Sequence, residues 1–254
     1  MRAIWAIAKL TIQEAIRNRI LYLLFFFAVF LVAFSWIIGK LTVGDELKIV
    51  KDMGLSSIHF FGTLITVIIG IGLVFREMEK RTIYLVLSKP IRRYQFLVGK
   101  YLGLALTLLG VLVSLGMLFY VIVLLKGENN PRILLAFCGI YQEWLLIAAV
   151  ALMFSSFSTP LLSVMLTLAT FLMGHLSSSL LLLRNRLATW SAQVILSSLY
   201  YVIPDLELFN IRAQVVHNLP LPHGYFLNAT LYWILYLVAI FLFSVRIFQK
   251  KDFI

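Results

Sequence analysis

The sequence predicts an all-α integral membrane protein, a bundle of six transmembrane helices preceded by an amphipathic helix at the membrane interface. Composition gives the first reason: of 254 residues 62% are hydrophobic and only 13% charged, against about half and about a quarter in soluble domains. The second is spacing. Apolar residues fall in blocks of about twenty, the length a helix needs to cross roughly 30 Å of hydrocarbon, whereas a barrel would show short alternating segments. The net charge of +11 forms no continuous stripe of the kind that binds nucleic acid. The basic residues instead flank the hydrophobic blocks, where they set topology.

Taken in order, residues 1–20 mix Ile4, Ala8, Leu10, Ile12, Ala15 and Ile16 with Arg2, Lys9, Gln13, Glu14, Arg17 and Arg19. This pattern suits a basic amphipathic helix at headgroup level. A signal peptide is disfavoured, because nineteen residues precede the apolar core and no small-x-small site follows it. Spans are expected at about 21–39, 57–75, 97–125, 133–155, 160–183 and 229–247. With the N-terminus inside, fourteen of the 22 lysines and arginines fall on the inner side, so both termini are expected in the cytoplasm. Ser155 to Pro160 is short and uncharged, a tight inner reversal. Residues 184–228 are too apolar for a flexible loop and too interrupted for a span. Trp190, Tyr200, Tyr201, Pro204, Pro220 and Pro222 there suggest an outer interfacial or re-entrant segment. One transmembrane domain, 1–254, accounts for the chain.

The inner loop at 76–98 is the most informative stretch. From Arg76 to Tyr101 the chain carries two glutamates and seven basic residues between two spans. Pro90 stops the preceding helix and disfavours helical geometry at Lys89, while Ser88 can cap a new helix. The apolar run Ile83, Tyr84, Leu85, Val86, Leu87 needs a partner on a water-facing loop, either a protein surface or the inner headgroups.

In these residues the chain resembles a known family. Glu77 and Glu79, then Arg81-Thr82, then Leu87-Ser88-x-Pro90-Ile91-x-Arg93, and finally Gly99-Lys100 are similar, in order, to the cytoplasmic signature of ABC-2 type permeases. These are the membrane subunits of one class of ABC transporters. A further similarity, through Glu143 to His175 and through residues 203–210, points to the branch containing nitrous-oxide-reductase maturation permeases. The resemblance implies a type V exporter-like fold and a coupling helix at 83–88 that docks on a separate ATPase. It assigns to that coupling Glu77, Glu79, Arg81, Thr82, Ile83, Leu85, Leu87, Ser88, Pro90, Arg93 and Lys100. It also implies two ATPase subunits carrying ATP and Mg, and a second permease copy or a sister permease. The setting it implies is a bacterial or archaeal cytoplasmic membrane, and the task is export of a substrate. A mostly apolar lining suits an amphiphilic or lipid-linked cargo. The alternative is a mechanical transducer or maturation factor acting on an extracytoplasmic partner.

Within the chain itself no catalytic or cofactor site is expected. Gly39-Lys40 and Gly99-Lys100 lack the following Ser or Thr and the earlier glycine of a phosphate cradle, so any ATP hydrolysis belongs to another subunit. Glu143 is the one acidic residue inside an apolar block, where a charge costs about 3 kcal/mol at mid-membrane. His175, Gln142 and Ser177 to Ser179 are its expected company. Helix packing and a functional role are equally open for Glu143. His59 reads as interfacial and Cys138 as a small buried hydrophobe. No metal site is expected: His217, His223 and Met53 have no ligand spacing. Gly99 and Gly103 would permit close helix approach.

Overall fold

Apolar blocks separated by charged or proline-broken turns give helices throughout. The computed structural model describes residues 2–41, 44–79, 93–177, 179, 182 and 190–250. Its helices are α1 (Arg2–Ile16), α2 (Arg19–Leu41), α3 (Glu46–Glu79), α4 (Arg93–Leu125), α5 (Arg132–Ser155), α6 (Pro160–His175), α7 (Trp190–Val202), α8 (Arg212–Val216) and α9 (Tyr225–Lys250), with a 3-10 turn at Glu207–Phe209. Five of them, α2, α3, α4, α5 and α9, are long and apolar enough to cross a membrane. Of the helix expected over 160–183, Pro160–His175 is one continuous stretch, and the described residues Ser177, Ser179 and Leu182 are helical as well.

The apolar windows of α3 and α5 are each 72% buried, that of α9 only 6%. Thus α3 and α5 form the centre, while α9 turns its apolar surface outward to lipid or to another chain. In lipid the helices gain little from apolar burial alone, so close packing at small residues does much of the holding. A Cβ at Gly62 of α3 would collide with the fully buried Trp144 ring of α5. A Cβ at Gly54 would do the same with Phe119 of α4.

α3 starts earlier than expected. Residues 46–52, read as an outer loop, are its first two turns, and Lys51 there is 2% exposed with its Nζ 2.9 Å from Glu128. Lys126 likewise pairs with Glu46. These ion pairs tie the start of α3 to the α4–α5 connection.

At the other end α1 packs along α4. Its buried residues are Ile7, Ala8, Thr11 and Ala15, whereas Leu10 and Ile16 point outward. Gly99 and Gly103 do serve close approach, and α1 is what approaches. A Cβ on Gly103 would stand 2.5 Å from Thr11 Cβ and 2.6 Å from the Ala8 carbonyl oxygen. The adjacent Lys100 is fully buried and donates to Glu14 at 2.9 Å.

The chain after α7 packs into the protein instead of running over it. Leu206, Phe209, Ile211 and Val215 are buried. The Phe209 carbonyl lies where a Cβ on Gly139 would be, at 2.5 Å, and the Leu206 N–H donates to the Gly174 carbonyl at 3.1 Å. Non-helical backbone at this depth is tolerated because protein surrounds it. Cys138, expected inside, is exposed. On a membrane helix an apolar residue serves the lipid face as well as the core, so hydrophobicity alone did not fix its side.

Candidate functional site

Three helices each bring one ionisable side chain to a single point. His59 sits thirteen residues into α3, Glu143 eleven residues into α5, and His175 ends α6. Glu143 is fully buried and His59 is 6% exposed. Oε1 of Glu143 lies 2.7 Å from Nε2 of His59 and 2.9 Å from Nε2 of His175. One carboxyl oxygen thus joins both imidazoles. The other carboxylate oxygen, Oε2, is buried with no hydrogen-bond partner among the described residues. Phe171 closes the apolar side, its ring 5.9 Å from that of His59 and 4.7 Å from that of His175.

The chain of polar groups continues outward. Nδ1 of His175 lies 3.2 Å from Oε2 of Glu207, which belongs to the 3-10 turn and keeps 46% of its side chain exposed. The turn is itself braced: the Glu207 N–H and the Ser177 hydroxyl both donate to Oδ1 of Asp205, at 3.1 and 2.7 Å. The Asn210 amide donates to the second Glu207 oxygen at 3.1 Å. A path of alternating imidazole and carboxylate therefore runs from exposed Glu207 to buried His59.

Of the residues singled out in the sequence, Glu143 and His175 do meet. Gln142, expected beside them, instead donates to Thr230 of α9 at 3.0 Å. His59 is a correction: with α3 beginning at Glu46, it lies well inside the helix and faces α5, not the interface. Glu207 was missed as well. The available signal was that His59, like Glu143, is an ionisable residue within an apolar run. Glu77 and Glu79 lie in the last turns of α3, and Arg93 opens α4. Arg81, Thr82, Ile83, Leu85, Leu87, Ser88 and Pro90 lie outside the described residues. Lys100 is held in the α1–α4 contact by Glu14.

Residues 5–253 match the family model described as ABC-2 family transporter protein. The chain belongs to the ABC-2 permease family. A probable ABC transporter permease protein NosY from Pseudomonas aeruginosa is 30% identical over 145 residues, 55% of this chain. That match covers 52% of the relative, so the permease spans about half the length of the curated relative it matches.

Proposed function

We propose that this permease couples ATP hydrolysis on two separate ATPase subunits to export of an amphiphilic or lipid-linked substrate, working beside a second permease in a bacterial or archaeal cytoplasmic membrane. Both termini and the 76–98 loop face the cytoplasm, α1 lies at the inner headgroups, and 83–88 is the coupling helix. One observation carries the reading. α3 runs without a break from Glu46, in the ion pairs of one end, past His59 to Glu79 at the edge of that loop. Its 34 residues make a rod of about 50 Å, so a displacement at the loop reaches the buried cluster with little loss. Coupling requires no more than that nucleotide state and membrane conformation bias each other.

The packed 203–216 segment supports a second reading, mechanical action on an extracytoplasmic partner without cargo. Inverted vesicles holding the whole complex separate the two. Export predicts ATP-dependent accumulation of a labelled lipid-like probe. A transducer predicts no accumulation, with ATP turnover that rises when the partner is enclosed. ATP turnover indifferent to both would contradict either form of the proposal.

A further inference from the structure

We propose that His59, Glu143 and His175 form a binding site for a borderline divalent cation of the zinc class, entered from the Glu207 side. The inference does not depend on what the permease transports or on whether ATP drives it.

Three independent observations converge. First, the three residues each offer one ligand atom, and these atoms all lie within 4.8 Å of one another. A four-coordinate zinc with bonds of 2.0–2.2 Å sets its ligand atoms roughly 3.3 Å apart. The Nε2 to Oε1 distances of 2.7 and 2.9 Å need only open by about half an ångström to reach that spacing. Second, Oε2 of Glu143 is buried and unpartnered among the described residues. A buried carboxylate oxygen without a partner is costly, and a cation held by both carboxylate oxygens would satisfy it. Third, His175 has the outer-shell arrangement of a metal-binding histidine. Its Nε2 faces the cluster while Nδ1 faces Oε2 of Glu207 at 3.2 Å, and such a carboxylate fixes the ring and raises its basicity.

The donor set selects the ion. Two imidazole nitrogens and one carboxylate are poor partners for calcium or magnesium, which take oxygen ligands, and suit zinc and its neighbours. Three protein ligands leave a fourth position for water or an incoming group. Binding replaces the two Nε2 to Oε1 contacts with metal bonds, each imidazole then neutral with its one proton on Nδ1 and any proton beyond that released. Glu207 and Asp205, joined through the Glu207 N–H, put negative charge at the entrance. The ion would bridge α3, α5 and α6.

The test is zinc retention by the full-length permease in lipid nanodiscs, measured by elemental analysis after gel filtration. Wild type should keep about one zinc per chain. His59→Ala and His175→Ala should each keep a tenth of that or less, and the double variant His217→Ala/His223→Ala should keep it all. Glu207→Gln should still saturate with zinc, but with affinity lowered roughly tenfold or more, a change that a merely structural carboxylate would not produce. Absence of zinc from wild type, or equal retention by His59→Ala, would overturn the proposal. If the histidine variants fail to fold, X-ray absorption of zinc-loaded wild type decides: two imidazoles with oxygen support the site, and fewer than two imidazoles or a sulfur ligand refute it.

Discussion

His59 and Glu143, 84 residues apart in the chain, meet through a 2.7 Å contact between Nε2 and Oε1, and the same oxygen takes a second contact from His175. Glu143→Leu takes the shared carboxylate from both imidazoles and should cost about 3–5 kcal/mol, as loss of one partner from a buried pair does. Glu143→Gln keeps an accepting oxygen and should cost clearly less. Thermal unfolding in detergent checks the ranking. Midpoints for both variants equal to that of wild type would mean that the cluster adds nothing to stability.

The Lys100–Glu14 pair predicts an asymmetry. The Lys100 side chain is 0% exposed and that of Glu14 35%. Glu14→Met therefore removes one charge-assisted hydrogen bond from a buried cation, at a cost of about 1.5–3 kcal/mol. Lys100→Met leaves behind a carboxylate that water reaches, at about 1 kcal/mol or less. Unfolding midpoints should fall much further for Glu14→Met, and the reverse order would refute the burial argument.

Gly103→Leu should lift α1 off α4, because Thr11 Cβ and the Ala8 carbonyl occupy the space. Ala8, fully buried, supplies the readout. A cysteine placed there should react slowly with a water-soluble maleimide in the parent and roughly tenfold faster or more beside Gly103→Leu, since overpacking costs about 1–3 kcal/mol.

Gly174 plays the same part where the chain after α7 returns to α6. A Cβ there would meet Leu206 Cγ at 2.6 Å and the Pro204 carbonyl at 2.8 Å. Gly174→Val should expose a cysteine at position 206, again seen in labelling rate, and should loosen the Glu207 contact to His175. Unchanged labelling would mean that Leu206 does not depend on this close approach.

The helical membrane architecture was legible because block length and composition follow directly from bilayer thickness. The Gly99 and Gly103 spacing foretold a close helix crossing, and Glu143 with His175 foretold a buried polar contact. What failed to show was which face of each helix points where. Leu10 and Cys138 look like core residues and lie outside, while Thr11 and Lys51 look like surface residues and are buried. In lipid both faces of a helix are apolar, so periodicity loses its meaning. His59 was misjudged for a different reason: the charged residues 45–52 read as loop, yet they form ion pairs and continue the helix outward.

The central claim is that force enters through the 76–98 loop from a separate ATPase. Purifying the permease from its native membrane in a mild detergent tests it most directly, with Leu85→Glu/Leu87→Glu run beside wild type. A nucleotide-hydrolysing subunit should come out with wild type and be lost from the double variant, while the variant permease stays folded. A wild-type permease that purifies with no such subunit, or a variant that retains it in full, would contradict the account.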